Sequence, residues 1–126
     1  MVAPKVQSLL KVEELDDTHW KLLAEFVYDS DVAHARIVVP AGFITDFASV
    51  PRVPVAFWLT GDTAHMAAVV HDYLYTTAIF PKTIADSVFY EAMRVTGIPV
   101  WRAYLMYLGV KYGGQMAWDA HRRSGT

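Results

Sequence analysis

Residues 64–75 constrain the fold more than any other stretch of this chain. They read Ala-His-Met-Ala-Ala-Val-Val-His-Asp-Tyr-Leu-Tyr and are apolar on nearly every side of a helix. A helix without a continuous polar face is buried, so this stretch predicts a central helix with other elements packed around it. Asp62 or Thr63 can begin the helix, since each side chain can accept a hydrogen bond from a free amide at the helix start.

Two further helices are predicted downstream. Pro81 suits a helix start, and the apolar residues within 82–96 recur with helical spacing. A glycine and a proline near residue 98 then end one helix and begin the next, which we expect over 100–122 with a bend at Gly113-Gly114. The aromatic residues of the third helix are expected in the core or at an interface: Trp101, Tyr104, Tyr107, Tyr112 and Trp118.

The first part of the chain has the features of a small antiparallel sheet. Two apolar-rich runs, 6–15 and 20–28, are separated by acidic, turn-favouring residues, which suggests a β-hairpin. A second turn is expected at 29–31, followed by a strand at 35–40 that ends at a proline. We therefore predict an α+β fold in which a small N-terminal antiparallel β-sheet is followed by three helices. The single domain spans 1–126, with a β-rich part at 6–50 and a helical part at 63–123.

Composition excludes several classes of protein. Hydrophobic residues make up 54% of the chain and charged residues 19%, as expected for a folded globule. The net charge of −2 provides no basic field for nucleic acid, so no nucleic-acid partner is expected. There is no cysteine for a disulfide or a thiolate metal site. No secretory signal is expected, because residues 1–10 have one lysine and no long apolar run. No transmembrane segment is expected, because Arg102 and Lys111 interrupt the most apolar stretch, residues 99–116.

Four polar residues lie close together where the central helix ends and the next one begins. A short connection makes the two helices antiparallel neighbours, which places His71 and Asp86 at about the same height. Asp86 can then accept a hydrogen bond from one imidazole nitrogen and leave the other free as a general base on water. Tyr75 shares a helix face with His71 and can hold Asp86, whereas Asp72 points elsewhere and can bind a hard cation such as calcium.

A structural interpretation of the same residues stands beside the catalytic one. A His-Asp pair at a helix end is often a cap or a buried, satisfied polar pair. Ionisable groups are costly to bury unless they are partnered, so several of them in close succession need a reason. Their number favours a functional site, with His71, Asp86 and Tyr75 as its catalytic residues.

A second unusual stretch, Gly-Phe-Ile-Thr-Asp-Phe-Ala-Ser-Val-Pro, begins at Gly42 and is expected to face the first. In an extended segment Gly42 and Asp46 share one side, so Asp46 can join Asp72 around a divalent ion. Thr45 and Ser49 add hydroxyl groups, although no Gly-x-Ser-x-Gly elbow surrounds Ser49 as a nucleophile. Asp46 and Ser49 can equally cap the turn that follows them. The sequence supports the metal-binding interpretation and the turn-capping interpretation equally.

Three blocks of the chain resemble a family of uncharacterised proteins common in tailed phages and prophages. They are Gly-Phe-x-Thr-Asp-x-Ala-Ser-Val-Pro at 42–51, His-Asp-x-Leu-Tyr at 71–75 and Ala-Asp-x-x-Phe at 85–89. The resemblance covers residues 35–118 and implies a phage-related origin rather than a particular chemistry. It implies the host cytoplasm or the virion as the location, and phage structural proteins or an envelope component as partners.

The helix pair also resembles that of calcium-dependent phospholipase A2 enzymes. The likeness lies in His-Asp-x-x-Tyr and Asp-x-x-Phe within residues 71–89. It implies that His71 is the general base, Asp86 its partner, Asp72 a calcium ligand and Tyr75 a hydrogen-bond donor to Asp86. The chain differs from that family in having no glycine-rich calcium loop, no disulfides and a shorter spacing between the histidine and the second aspartate.

Two functions of different kinds are consistent with these patterns. The first is a small hydrolase in which His71, oriented by Asp86, activates water against an ester or cell-envelope substrate. In it Asp72 and Asp46 would hold a divalent cation, calcium or zinc. The second is a non-enzymatic phage virion or assembly protein in which the same polar cluster is structural. An enzyme needs the imidazole of His71 at an open cleft, whereas a structural role predicts sealed, fully bonded side chains.

Overall fold

A computed structural model of the chain describes residues 5–6, 10–16, 19–45 and 63–123. Within these ranges an antiparallel β-region precedes four helices, which confirms the predicted α+β class. The strands are β1 (Lys5–Val6), β2 (Val12–Glu14), β3 (Trp20–Leu22), β4 (Phe26–Ser30), β5 (Ala35–Val39) and β6 (Ile44–Thr45). The helices are α1 (Thr63–Thr77), α2 (Lys82–Val95), α3 (Val100–Gly113) and α4 (Gln115–Arg123).

The strands form two small antiparallel sheets, with the orders β1-β4-β5 and β2-β3-β6. The predicted hairpin is β2 with β3, where Val12 lies opposite Leu22. The expected run over 20–28 is divided, because the chain leaves one sheet after β3 and enters the other at β4. The second turn lies at 31–34 rather than at 29–31, since Ser30 still pairs with Ala35 across β4 and β5.

Helix α1 is the centre of the molecule, as its apolar sequence predicts. Four consecutive residues, from Ala67 to Val70, are each at most 2% exposed. The helix contacts α2 and α4 on the helical side and β5 and β6 on the sheet side. Burial on all sides explains why this segment has no polar stripe, and it fixes the position of every side chain at the end of α1.

The predicted third helix is broken into α3 and α4 at Gly114, so the described part of the chain has four helices rather than three. Gly114 passes very close to α1, and a β-carbon at this position would lie 2.6 Å from the Tyr75 hydroxyl oxygen. The core residues of α3 are Ala103, Met106 and Val110.

Three of the aromatic residues expected in the core or at an interface are on the surface. Trp101 is 59% exposed, Tyr104 is 51% exposed and Tyr112 is 75% exposed. The core alternative is therefore wrong for these three side chains, and the interface alternative stays a prediction. Among the described residues, no helix is long and apolar enough to cross a bilayer.

Glu91 of α2 holds the β4–β5 turn against the helices. One carboxylate oxygen accepts hydrogen bonds from the Tyr28 hydroxyl at 2.9 Å and the Ser30 hydroxyl at 2.8 Å. The other accepts from the backbone amides of Asp31 at 3.1 Å and Val32 at 2.9 Å. Burial, together with the Glu91 carboxylate, raises the pKa of Tyr28 far above its usual value, so this phenol stays a donor. The sequence analysis did not identify Glu91.

Candidate functional site

The short connection between α1 and α2 brings His71 and Asp86 face to face. Helix α1 ends at Thr77, and α2 begins at Lys82 directly after Pro81. Nε2 of His71 lies 2.9 Å from Oδ1 of Asp86, and both side chains are buried. The predicted proximity of His71 and Asp86 across the two helices is therefore confirmed. Their catalytic roles remain a prediction.

The Asp86 carboxylate is bonded on both oxygens. Oδ1 also accepts a hydrogen bond from the Tyr75 hydroxyl at 2.7 Å, and Oδ2 accepts one from Nζ of Lys82 at 2.8 Å. Burial alone would raise the pKa of Asp86, but the hydrogen bonds from His71, Lys82 and Tyr75 outweigh it and hold this pKa below its usual value. The group is therefore an ionised acceptor within the protein interior.

This arrangement fixes the state of the His71 imidazole. Because an ionised carboxylate only accepts, the Nε2 atom of His71 carries the proton and donates to Asp86. Burial lowers the pKa of His71 and outweighs the favourable bond to Asp86, so the ring is neutral at neutral pH. Nδ1 then presents a lone pair, and it has no hydrogen-bond partner among the described residues although it is fully buried.

Aromatic rings hold the imidazole in place. The ring of His71 lies 4.2 Å from that of Tyr75 and 4.6 Å from that of Phe89, measured between centroids. Trp118 of α4 meets Tyr75 edge-on at 5.1 Å. With its Nε2 atom bonded and neighbouring rings packed on it, the imidazole has little rotational freedom, which keeps Nδ1 pointing in one direction.

Lys82 is the member of the cluster that the sequence analysis missed. Besides Asp86, its ammonium group donates to the carbonyl oxygens of Val110 at 3.1 Å and Lys111 at 3.2 Å. All three donors of the ammonium are thus used, and they join the cluster to the end of α3. The signal was available, because Lys82 and Asp86 are four residues apart at the start of a predicted helix.

Arg122 of α4 contacts the end of α1 beside the cluster. Its Nη2 atom donates to the carbonyl oxygens of Tyr75 and Thr76, the latter at 3.0 Å, and its guanidinium lies 4.5 Å from the centroid of the Trp118 ring. Those carbonyls belong to the last turn of α1, where a helix lacks intrahelical partners and carries partial negative charge. Sequence spacing gave no sign of this contact, because 47 residues separate Arg122 from Tyr75.

Asp72 lies beside the imidazole and is 5% exposed. Its negative charge acts to raise the pKa of His71, as expected for a nearby carboxylate. Among the described residues, no group of three or more metal-binding side chains comes together. The prediction of a cation at Asp72 and Asp46 remains untested, because Asp46 lies outside the described ranges.

The block that begins at Gly42 approaches α1 at its first residues. The Phe43 ring meets the Tyr73 ring edge-on, with the centroids 5.4 Å apart, and Thr45 is fully buried in β6. Gly42 has a positive φ of 90°, which explains the glycine in this turn. Ser49, like Asp46, lies outside the described ranges, so its predicted role is unchanged.

Comparison with known proteins identifies a family whose function is described as unknown. The family described as "Protein of unknown function (DUF1353)" matches residues 20–110. A curated relative, "Uncharacterized protein y4jT" of Sinorhizobium fredii (strain NBRC 101917 / NGR234), is 33% identical over 96 residues. That alignment covers 72% of this chain and 27% of the relative, so the chain corresponds to about a quarter of that protein. No solved structure matches the chain.

Proposed function

The chain belongs to the DUF1353 family, and we propose that it is a hydrolase in which Nδ1 of His71 acts as a general base on water. The observation that carries the proposal is the state of this imidazole. The protonated Nε2 atom of His71 donates a hydrogen bond to Asp86. The buried Nδ1 atom has a lone pair and no hydrogen-bond partner among the described residues. A buried acceptor left unbonded costs about 1–3 kcal/mol, so a water or substrate hydroxyl at Nδ1 would be stabilised.

The reaction that suits this geometry is hydrolysis of an ester. Nδ1 takes a proton from water as the water oxygen adds to the ester carbonyl, and the imidazolium then gives that proton to the departing alkoxide. The Asp86 carboxylate, already bonded to Nε2, would stabilise the positive charge while the imidazole is protonated. Tyr75 and Lys82 act as positioning residues, because they hold the carboxylate in line with the ring.

A divalent cation would extend the same proposal. Asp72 offers a carboxylate near His71, and both calcium and zinc accept carboxylate oxygens as ligands. A bound cation would offset negative charge that develops on the ester oxygen. Calcium or zinc should then raise the melting temperature of the protein, and Asp72→Asn should abolish that rise.

The substrate class we propose is an ester, such as one in the cell envelope. A panel of ester and lipid substrates would measure turnover by the native protein, by His71→Gln and by His34→Asn as the control. We expect His71→Gln to lose turnover by at least about a hundredfold, as is usual for removal of a general base. Thermal melting shows whether each variant is folded.

Chemical modification tests the site without knowledge of the substrate. Diethyl pyrocarbonate acylates accessible, neutral imidazole nitrogens, and peptide mass spectrometry would locate the product among the five histidines. Modification of His71 in the folded protein, slowed by Asp86→Asn, is the expected result. If His71 reacts only after unfolding and the native protein hydrolyses no ester of the panel, the hydrolase proposal fails.

One observation favours the second candidate function, a non-enzymatic phage virion or assembly protein. The side chain of His71 is 0% exposed, and all oxygens of Asp86 are bonded within the protein. A sealed cluster of this kind can serve to join α1, α2 and α3. On this alternative, His71→Gln lowers the melting temperature, no ester is hydrolysed, and His71 is protected from acylation.

A further inference from the structure

Helix α3 presents an apolar outer face to solvent. With 100° per residue, its exposed and half-buried apolar side chains fall within an arc of about 160°. Its buried residues, Ala103, Met106 and Val110, lie on the opposite side. The members of the outer face are Val100, Trp101, Tyr104, Leu105, Tyr107, Leu108 and Tyr112. Five of the seven are at least half exposed, which is unusual for a contiguous set of large apolar groups.

The two charged side chains of α3, Arg102 and Lys111, are both positive. The chain has 13 acidic residues, but none of them lies within residues 92–118, where three basic residues occur. Two of the three lie against the aromatic rings of α3. The Arg102 guanidinium lies 5.7 Å from the centroid of the Trp101 ring, and Lys111 Nζ lies 5.4 Å from that of Tyr112.

From this combination we propose that the outer face of α3 docks on an anionic lipid surface. Trp and Tyr have an apolar ring and a polar group, which suits the boundary between acyl chains and headgroups. Lysine and arginine beside them attract anionic headgroups. The proposal does not depend on catalysis by His71.

A second copy of the chain fits this face less well. Lys111 lies about 20° from Val100 around the helix, within the arc of the face, so two copies packed face to face would bring both Lys111 ammonium groups to one interface. The 92–118 region has no acidic residue to pair with them. A partner of opposite charge satisfies both the apolar groups and the cations.

Vesicle sedimentation tests the proposal with the full chain. We expect binding to phosphatidylglycerol vesicles at about 0.1 M salt, and at least about tenfold weaker binding to phosphatidylcholine vesicles. Replacing Trp101 and Tyr112 together by serine should weaken binding to the anionic vesicles about tenfold or more. The matched control replaces two apolar residues of similar exposure elsewhere, Leu23 at 56% and Ile79 at 55%, and should bind as the native chain does.

The charge contribution is tested separately by Arg102→Gln and Lys111→Gln, each expected to weaken anionic binding about fivefold. Lys11→Gln, on the exposed edge before β2, is the control. Absence of vesicle binding, or equal loss in the control variants, overturns the proposal. Self-association that Trp101→Ser abolishes, without vesicle binding, would assign the face to a second copy. Binding to poly-glutamate but not to vesicles would assign it to an acidic protein.

Discussion

Gly114 lies against the hydroxyl group of Tyr75 so closely that a β-carbon at position 114 would be 2.6 Å from the tyrosine oxygen. The same hydroxyl donates to Asp86 at 2.7 Å. The carbonyl oxygen of Val110 would lie 2.5 Å from the β-carbon on another side. The break between α3 and α4 therefore sets how closely the C-terminal helices pack on the His71–Asp86 cluster.

Gly114→Ala should destabilise the protein. The added methyl group must displace both the Tyr75 hydroxyl and the Val110 backbone, and overpacking of this kind costs about 1–3 kcal/mol. Urea denaturation measures the free energy of unfolding. Gly113→Ala is the matched control, because a β-carbon there meets nothing within 4 Å and alanine favours a helix by up to about 1 kcal/mol. Equal effects of the two changes would show that position 114 is not tightly packed.

Tyr75→Phe should cost about 1–2 kcal/mol, because it removes one hydrogen bond from the buried Asp86 carboxylate. It also removes the oxygen atom that the methyl group added by Gly114→Ala would strike. A double-mutant cycle should therefore show that Gly114→Ala is less destabilising in the Tyr75→Phe background than in the native one. Some cost should persist, since the Val110 carbonyl stays in place. Strict additivity would contradict a contact between the two positions.

Periodicity and helix boundary signals predicted α1 and α2 nearly to the residue. Both signals are local in sequence. The apolar stretch at 64–75 indicates a buried helix, and Pro81 indicates the start of the next one. The helix expected over 100–122 is divided at Gly114, within the glycine pair where a bend was predicted, but the close approach of Gly114 to Tyr75, 39 residues earlier in the sequence, was not predicted. Local spacing cannot report such a contact.

The same distinction holds for the polar cluster. His71, Tyr75 and Asp86 were found together because consecutive helices with a short connection lie antiparallel. Arg122 and Glu91 were missed because their partners are distant in sequence, at Thr76 and Tyr28. The exposure of the α3 aromatics was missed for a related reason: a helix that is apolar on all sides does not reveal which side meets the core.

The stability of the protein should fall as the pH drops below the pKa of an unfolded histidine. Burial lowers the pKa of His71 from its ordinary value of 6.5, so the unfolded chain binds the proton more tightly than the folded one. The stabilisation is fully present above about pH 6.5 and is lost progressively below it, by at most about 1.4 kcal/mol per pH unit. Asp86, whose folded pKa is also lowered, adds a further loss only when the pH falls below its ordinary value of 3.8.

Urea denaturation between pH 5 and 8 would measure this dependence. His71→Gln should flatten it in that window, because the titrating imidazole is gone. His34→Asn is the control, since asparagine tolerates the positive φ of 51° at that turn position. An unchanged pH dependence in His71→Gln would show that another group is responsible.

Glu91→Gln should loosen the β4–β5 turn without disturbing the His71 cluster. The amide has one acceptor oxygen in place of two, so either the hydroxyls of Tyr28 and Ser30 or the amides of Asp31 and Val32 lose their acceptor. Leaving buried donors unbonded costs about 1–3 kcal/mol, and Tyr28 is fully buried. Urea denaturation measures the loss, and amide hydrogen exchange at Asp31 and Val32 locates it.

Glu14→Gln is the matched control, because this carboxylate lies on the exposed surface of β2. It should leave both the free energy of unfolding and the exchange rates nearly unchanged, as surface substitutions usually do. If Glu91→Gln behaves like Glu14→Gln, the turn is held by its own backbone pairing, in which Ser30 lies opposite Ala35. Faster exchange at Asp31 and Val32 in Glu91→Gln alone would instead show that α2 orders this end of the sheet through one carboxylate.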